Sequence, residues 1–122
     1  MNLSVLDKPL AVCRLEPGNP LPDWIGGDFF SITRSDEEIS IVCEQSYVPD
    51  DVRSERDWRA LKVAGPLEFD EVGILAGIAA PLAEAEVSIF VLSTFDTDYV
   101  LVKETGLESA KAALETAGHS VA

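Results

Sequence analysis

The chain has 122 residues, 47% of them hydrophobic, and its 22 acidic residues against 9 basic ones give a formal charge of −13. This length gives room for one compact domain or two very small ones, and the excess of negative charge argues against binding to nucleic acid or to an anionic membrane surface. No apolar run reaches the length of a membrane span, and the start of the chain, MNLSVLDKPL, lacks the features of a signal peptide. We therefore expect a cytoplasmic protein.

The first third of the chain is predicted to form strands. Residues 1–9 look like a loosely held entry, and residues 16–27 are expected to form a loop because they contain three prolines and three glycines. The segment Ser35 to Glu38 also matches a helix capping box, but a tight hairpin connection agrees better with the strand patterns on either side of it. The predicted strands are residues 10–15, 29–34 and 39–43.

A polar and charged segment at residues 44–57 marks the seam between two halves of the chain. We accordingly assign residues 1–57 to an N-terminal unit and residues 58–122 to a C-terminal unit. The strand pattern resumes at residues 58–63, after which a Gly-Pro dipeptide turns the chain.

The most strongly patterned segment is residues 71–85, where apolar residues recur at the spacing of one helix face. Asp70 is the predicted N-cap of this helix. Pro81 is expected to bend the helix rather than end it, because the residue four positions earlier is Gly77. The apolar face, which should cover a sheet, consists of Leu75, Ile78, Ala79 and Leu82.

A hairpin and a second helix follow this segment. Residues 88–93 and 98–103 are predicted as paired strands joined by a polar turn. Thr105 and Glu108 match a capping box, and Gly118 is the expected end of the helix that the box begins.

The order of these elements indicates an α+β fold. With an edge strand at residues 119–122, the segment from residue 58 onward has the order β-α-β-β-α-β of the ferredoxin-like fold. We therefore predict four antiparallel strands with both helices on one face. Residues 10–43 repeat the first part of this order without the second helix.

The residues that most often carry chemistry give no sign of a reaction. Cys13 and Cys43 are too far apart in sequence for a CxxC motif, so we interpret them as buried free thiols, which could approach one another because the first and third strands of this fold are neighbours. His119 has no evident partner for acid–base chemistry. We predict no catalytic residue, no metal site and no cofactor.

Two segments resemble a known family. GILAGIAAPLAEAEVSIF, at residues 73–90, and STFDTDYVLV, at residues 93–102, are similar to the ACT domain, in particular to the branch of tandem ACT-like proteins that contains cytosolic arginine sensors of the CASTOR type. The resemblance is strong over residues 58–103 and extends to residues 10–43 as a degenerate ACT-like half. It implies a regulatory module without catalysis, in which units pair side by side and an amino acid binds between the start of the first helix and a neighbouring unit.

The same segment contains the predicted ligand site. Free amides at the start of a helix attract anions, so we expect the amides of Val72, Gly73 and Ile74 to take the α-carboxylate of an amino acid. The acidic turn STFDTD can receive an ammonium group or a cationic side chain. In the alternative interpretation, the glycines only permit close packing and the aspartates only form a turn. The predicted ligand-binding residues are Asp70, Val72, Gly73, Ile74, Leu75, Thr94, Asp96 and Asp98.

Two functions from different classes fit these patterns. The first is a sensor that binds a free amino acid, with a cationic one favoured by the two aspartates, at an interface between ACT-like units. The alternative is a structural or protein-interaction module that kept a dimerising surface and lost the ligand. In both cases the small residues Gly73, Gly77 and Ala80, together with the edge strands, predict a homodimer, and any regulatory output needs a separate partner protein.

Overall fold

The computed structural model describes residues 1–122, which form eight strands and two α-helices. Short 3₁₀ turns at Gln45–Tyr47 and Glu104–Gly106 complete the secondary structure. No helix is both long and apolar enough to cross a lipid bilayer. The elements are β1 (Asn2–Val5), β2 (Leu10–Leu15), β3 (Phe30–Arg34), β4 (Ile39–Glu44), β5 (Ser54–Val63), α1 (Ile74–Glu84), β6 (Ile89–Ser93), β7 (Asp98–Lys103), α2 (Leu107–Thr116) and β8 (Ser120–Val121).

The chain divides into two compact units. The N-terminal unit is Lys8–Trp58, and the C-terminal unit combines Met1–Asp7 with Arg59–Ala122. The boundary expected from the sequence, between residues 57 and 58, lies within one residue of this division. Residues 1–7, however, lie in the C-terminal unit, whereas the sequence placed them in the N-terminal one.

The N-terminal unit is a small antiparallel sheet with the strand order β3, β4, β2 and the first part of β5. The predicted strands at residues 10–15, 29–34 and 39–43 are confirmed to within a residue at each end. The connection between β3 and β4 is the expected tight hairpin, in which the Ser35 amide donates to the Glu38 carbonyl at 3.0 Å. The core of this unit consists of Ala11, Cys13, Ile39, Ile41, Cys43 and Val48.

The sheet of the C-terminal unit has five strands in the order β6, β7, β5, β1 and β8. Both helices lie against the same face, because buried residues of the helices and of β5, β7 and β1 share one cluster. The alternation along each strand explains this cluster, since every second residue points to the same face. Its fully buried members include Leu61, Val63, Ile78, Leu82, Val100, Val102, Ala110 and Leu114.

Two expectations about this sheet were wrong, and both fail at the N-terminal strand. Residues 1–9 are not a loose entry, because β1 pairs antiparallel with β5, parallel with β8, and buries Leu3 to 3% exposure. The sheet is therefore not a four-stranded antiparallel one. The strand β1 lies between β5 and β8, which would otherwise be neighbours in the β-α-β-β-α-β order.

The first helix begins three residues later than predicted. Residues 68–71 form a turn instead, in which the Glu71 amide donates to the Glu68 carbonyl at 3.2 Å and the Glu68 amide donates to Glu71 Oε1 at 2.8 Å. Asp70 is therefore not the N-cap. That position belongs to Gly73, whose φ of 80° is a left-handed conformation that glycine adopts without strain.

The second helix also starts differently from the prediction. Glu104–Gly106 forms a 3₁₀ turn, and Gly106 is the N-cap of α2 without a side-chain capping bond. Because the helix starts at Leu107, Glu108 is one position too early for the predicted capping box with Thr105. The predicted end at Gly118 is confirmed within two residues, since α2 ends at Thr116 and Gly118 has a φ of 98°.

Candidate functional site

A cavity of about 320 Å³ lies in the C-terminal unit, between the start of α1 and the turn that joins β6 to β7. Its walls come from the loop before α1, from the first residues of the helix and from the whole turn. The lining residues are Leu67, Glu68, Phe69, Glu71, Gly73, Ile74, Leu75, Ala76, Ser93, Thr94, Phe95, Asp96, Thr97 and Asp98.

The turn Ser93 to Asp98 closes a regular hairpin. Ser93 and Asp98 are the last paired residues of β6 and β7, and the Ser93 hydroxyl donates to Asp98 Oδ1 at 2.6 Å. Inside the turn, the Thr94 amide donates to the Thr97 carbonyl at 2.8 Å. The Thr94 hydroxyl donates to the same carbonyl at 3.1 Å. The Ser93 bond gives the carboxylate of Asp98 a defined orientation at the cavity wall, and the Thr94 bonds stabilise the turn.

The turn is also attached to the segment that follows β5. Thr97, which is only 5% exposed, donates from its hydroxyl to the Val63 carbonyl at 2.6 Å. The Leu67 amide donates to the Asp96 carbonyl at 2.7 Å. Gly65 fits closely here, since a β-carbon at that position would lie 2.9 Å from the Asp96 carbonyl oxygen. The two walls of the cavity are therefore held together by direct backbone and hydroxyl contacts.

The helix wall provides hydrogen-bond donors. The first bond of α1 runs from the Gly77 amide to the Gly73 carbonyl at 2.9 Å. The amides of Ile74, Leu75 and Ala76 precede that bond and have no carbonyl within the helix to donate to. These amides, together with the helix dipole, make this wall suitable for an anionic group such as a carboxylate.

Six of the eight predicted site residues line this cavity: Gly73, Ile74, Leu75, Thr94, Asp96 and Asp98. Asp70 and Val72 do not line it. Val72 is 91% exposed, and both residues precede the true start of the helix. The donors expected at Val72, Gly73 and Ile74 are accordingly displaced along the chain, to residues 74–76.

Sequence reasoning missed an aromatic pair and two further acidic residues. The rings of Phe69 and Phe95 meet edge to face with centroids 4.8 Å apart, although the side chains are 77% and 79% exposed. Glu68 and Glu71 also line the cavity. The sequence did contain one indication of this pair, because Phe95 lies in the middle of a polar turn, where an aromatic residue is not expected to be buried.

The thiols and the histidine lie outside this cavity. Cys13 and Cys43 are free and buried in the N-terminal unit, as expected. They face the same side of neighbouring strands, with Cys13 opposite Ile41 and Cys43 opposite Ala11. No group of three or more His, Cys, Asp or Glu side chains is arranged to hold a metal ion.

Comparison with known proteins adds evidence for the family. A sequence model of the ACT domain matches residues 53–116, more than half of the 122 residues. A second model, which describes an N-terminal domain, matches residues 9–51.

Several relatives cover most of the chain. The human protein named cytosolic arginine sensor for mTORC1 subunit 1 is 38% identical over 102 residues, which are 77% of this chain and 31% of that protein. Its counterpart from Bos taurus is 42% identical over 89 residues, which are 66% of this chain and 27% of that protein. The chain thus spans less than a third of the length of these two relatives.

Solved structures show the same architecture. A crystal structure of a protein from Agrobacterium tumefaciens is 42% identical with a TM-score of 0.93, and the match covers 99% of this chain and 91% of that one. The regulatory subunit of aspartate kinase from Thermus thermophilus has a TM-score of 0.68 at 10% identity, with coverage of 95% and 96%. At such low identity, this second likeness shows the fold alone.

Proposed function

The chain belongs to the ACT domain family, and we propose that it is a non-catalytic regulatory sensor that binds a free amino acid in the cavity beside α1. The match to the ACT domain model and the relatives that are named as sensors support a regulatory role. The proposed setting is the cytoplasm. The proposed domains are a degenerate ACT-like unit within Lys8–Trp58 and an ACT domain formed by Arg59–Ala122 together with Met1–Asp7.

The arrangement of charge around the cavity carries the proposal. One wall offers the free amides at the start of α1, and the opposite wall offers the carboxylates of Asp96 and Asp98. An amino acid has an α-carboxylate and an α-ammonium group, which these two walls complement. A cavity of about 320 Å³ is also of the size expected for a small ligand.

We propose arginine as the first amino acid to test. The relatives that match most of the chain are named arginine sensors. Acidic side chains at the turn and at Glu71 carry full negative charges, whereas the helix amides carry only partial positive ones, so a ligand with an additional positive charge is favoured. Lysine should bind for the same reason, and glutamate should bind least.

The exposed aromatic pair suggests how the site is completed. Phe69 and Phe95 stand at the cavity with most of their surface in solvent. Large exposed apolar groups often mark a surface that another molecule covers. We propose that a second ACT-like unit, supplied by a homodimer, closes this side of the cavity, and that a separate protein receives the signal.

Thermal denaturation of the intact chain with each of the twenty amino acids tests the proposal. A ligand that binds only the native state raises the melting temperature, by an amount that grows with its concentration above Kd. We expect arginine to give the largest shift. No shift with any amino acid would support the alternative, a dimerising module without a ligand, which the exposed pair at Phe69 and Phe95 also favours.

A charge-removing variant locates the site. Asp98→Asn removes the charge from an acceptor at the cavity wall while keeping its shape, and we expect arginine affinity to fall about ten- to a hundred-fold. The control is Asp36→Asn, which makes the same change in net charge at an exposed turn of the N-terminal unit. Isothermal titration that gave both variants the affinity of the wild type would remove Asp98 from the site.

A further inference from the structure

All three hydroxyl groups of the turn Ser93 to Asp98 donate their protons to acceptors within the protein. Ser93 donates to Asp98 Oδ1 at 2.6 Å, Thr94 donates to the Thr97 carbonyl at 3.1 Å, and Thr97 donates to the Val63 carbonyl at 2.6 Å. The direction of each bond is fixed by chemistry, because a carbonyl or an ionised carboxylate can only accept.

These hydrogen bonds determine whether the side chains of the turn can act as donors or as acceptors toward a ligand. Each hydroxyl has a single proton, so a hydroxyl that has donated it can only accept from any further partner. The carboxylates of Asp96 and Asp98 are acceptors as well. At this wall of the cavity the side chains of the turn therefore present acceptors and no donors.

Ser93 is the hydroxyl residue that contributes most directly to this excess of hydrogen-bond acceptors at the cavity wall. Its side chain is exposed and lines the cavity, whereas the hydroxyl of Thr97 is turned into the buried contact with Val63. Ser93 both orients the Asp98 carboxylate and adds its own oxygen to the acceptors beside it. A guanidinium group, which has five donors and no acceptor, matches such a surface. A ureido group has a carbonyl oxygen in place of one nitrogen of the guanidinium group. That oxygen is an acceptor and would face the acceptors of the turn.

We propose that Ser93 is a specificity-determining residue that makes the site select guanidinium over uncharged isosteres such as the ureido group of citrulline. This inference rests on the proposed amino-acid site. It goes further by assigning selectivity to the direction of the Ser93 hydrogen bond in addition to the negative charge of the aspartates.

The test measures arginine and citrulline affinities by isothermal titration in the wild type and in two isosteric variants. Ser93→Thr keeps the hydroxyl, and Ser93→Val replaces it with a methyl group of the same shape. Both are β-branched residues that suit a strand end, so folding is expected in both cases. The control is Ser109→Ala, at an exposed position of α2 outside the cavity.

We expect Ser93→Val to lower the arginine-to-citrulline affinity ratio about ten-fold, the effect of one hydrogen bond to a charged group. Ser93→Thr and Ser109→Ala should keep the wild-type ratio. A ratio unchanged in Ser93→Val, or an equal loss of both ligands, would overturn this inference while leaving the amino-acid site intact. A wild type that binds neither ligand would overturn the proposed preference for arginine, and this inference with it, whereas the twenty-amino-acid screen tests the proposed function itself.

Discussion

At the scale of single residues, both helices end in the same hydrogen-bonded arrangement, but only one of them uses glycine for it. After α2, the left-handed residue is Gly118, and the His119 amide donates back to the Leu114 carbonyl at 3.0 Å. After α1, the left-handed residue is Glu86, with a φ of 61°, and the Val87 amide makes the corresponding bond at 2.9 Å. A residue with a β-carbon is strained in this conformation, so α1 ends at a local cost in stability.

Replacing the strained residue should stabilise the protein. We expect Glu86→Gly to raise the free energy of unfolding by about 0.5–1 kcal/mol, because relief of the left-handed strain exceeds the added freedom of glycine in the unfolded chain. Urea denaturation measures the change. Glu86→Ala is the control, since it removes the same charge and keeps the strain. Equal stability of the two variants would attribute any gain to charge and contradict the prediction.

The buried thiols are the residues whose protonation the fold alters. Burial raises the pKa of Cys13 from its ordinary 9.0 to about 11, with Cys43 adding to the effect and Arg56 opposing it. Burial raises the pKa of Cys43 as well, with Glu44 adding to the effect. Both thiols therefore stay protonated in the folded state at neutral pH, which makes them poor nucleophiles.

These shifts predict a loss of stability in alkali. Between pH 9 and pH 11, Cys13 ionises in the unfolded chain but remains protonated in the folded one, so the unfolded state binds fewer protons and stability falls as pH rises. The loss from Cys13 should be about 2–3 kcal/mol across this window.

Urea denaturation under reducing conditions, at steps across this pH range, checks the alkaline loss. Cys13→Ala should give a flatter dependence on pH than the wild type, whatever its effect on stability at pH 8. Cys43→Ala retains Cys13 but removes the second thiol whose pKa is raised, so some flattening is expected in that variant as well. Parallel curves for the wild type and Cys13→Ala would show that Cys13 does not titrate differently in the folded and unfolded states.

At the scale of elements, α1 continues through a proline because a distant residue replaces the missing donor. Pro81 has no amide proton for the Gly77 carbonyl, and α1 nevertheless continues past it to Glu84. The sequence predicted this continuation, although it placed the helix at residues 71–85. His119 Nε2 donates to that carbonyl at 3.0 Å, so the histidine that had no evident partner in the sequence has a structural one. The segment after α2 is in this way bonded to the middle of α1.

A double-mutant cycle tests this replacement. His119→Ala should lower the free energy of unfolding by about 0.5–1.5 kcal/mol, because it removes the donor to the Gly77 carbonyl. In a Pro81→Ala background the same change should cost less, since the alanine amide can bond that carbonyl within the helix. An identical cost in both backgrounds, measured by urea denaturation, would show that the bond and the proline are not coupled.

Elements that follow from local pattern could be predicted from the sequence, whereas distant pairings could not. The hairpin of β6 and β7 follows from alternation around a polar turn, and its bounds were predicted within one residue. The position of β1 depends on pairs such as Asn2 with Ser120, which join opposite ends of the chain. The start of α1 failed for a different reason, because the turn at residues 68–71 and the left-handed conformation of Gly73 keep residues 71–73 out of the helix.

The candidate site follows the same division. Gly73, Asp96 and Asp98 could be found because helix starts and acidic turns have local signatures. Phe69 and Glu71 belong to a loop whose path depends on the hydrogen bond between the Leu67 amide and the Asp96 carbonyl. No local sequence pattern predicts that hydrogen bond.

At the scale of the whole molecule, the exposed edge of strand β6 lacks the features that usually keep monomeric proteins from associating. The edge strand β6 bonds only β7, and its sequence from Ile89 to Leu92 is entirely apolar, with no charge or proline. Monomeric proteins usually protect such an edge from pairing with another chain. The formal charge of −13 opposes association at long range, but salt screens that repulsion within about 10 Å at 0.1 M.

We predict that the chain forms a homodimer in which β6 edges pair, and that added salt strengthens it. Sedimentation velocity over a range of micromolar concentrations should show the mass of two chains. Leu92→Lys places a charge on the apolar edge strand and should shift the protein to monomer, because a charged side chain on an edge strand disfavours pairing with another chain. Leu21→Lys, which makes the same change at a half-exposed loop residue of the N-terminal unit, should leave the dimer unchanged. A wild type that stays monomeric at every concentration and salt level would contradict the dimer, and a dimer that survives Leu92→Lys would place its interface away from β6.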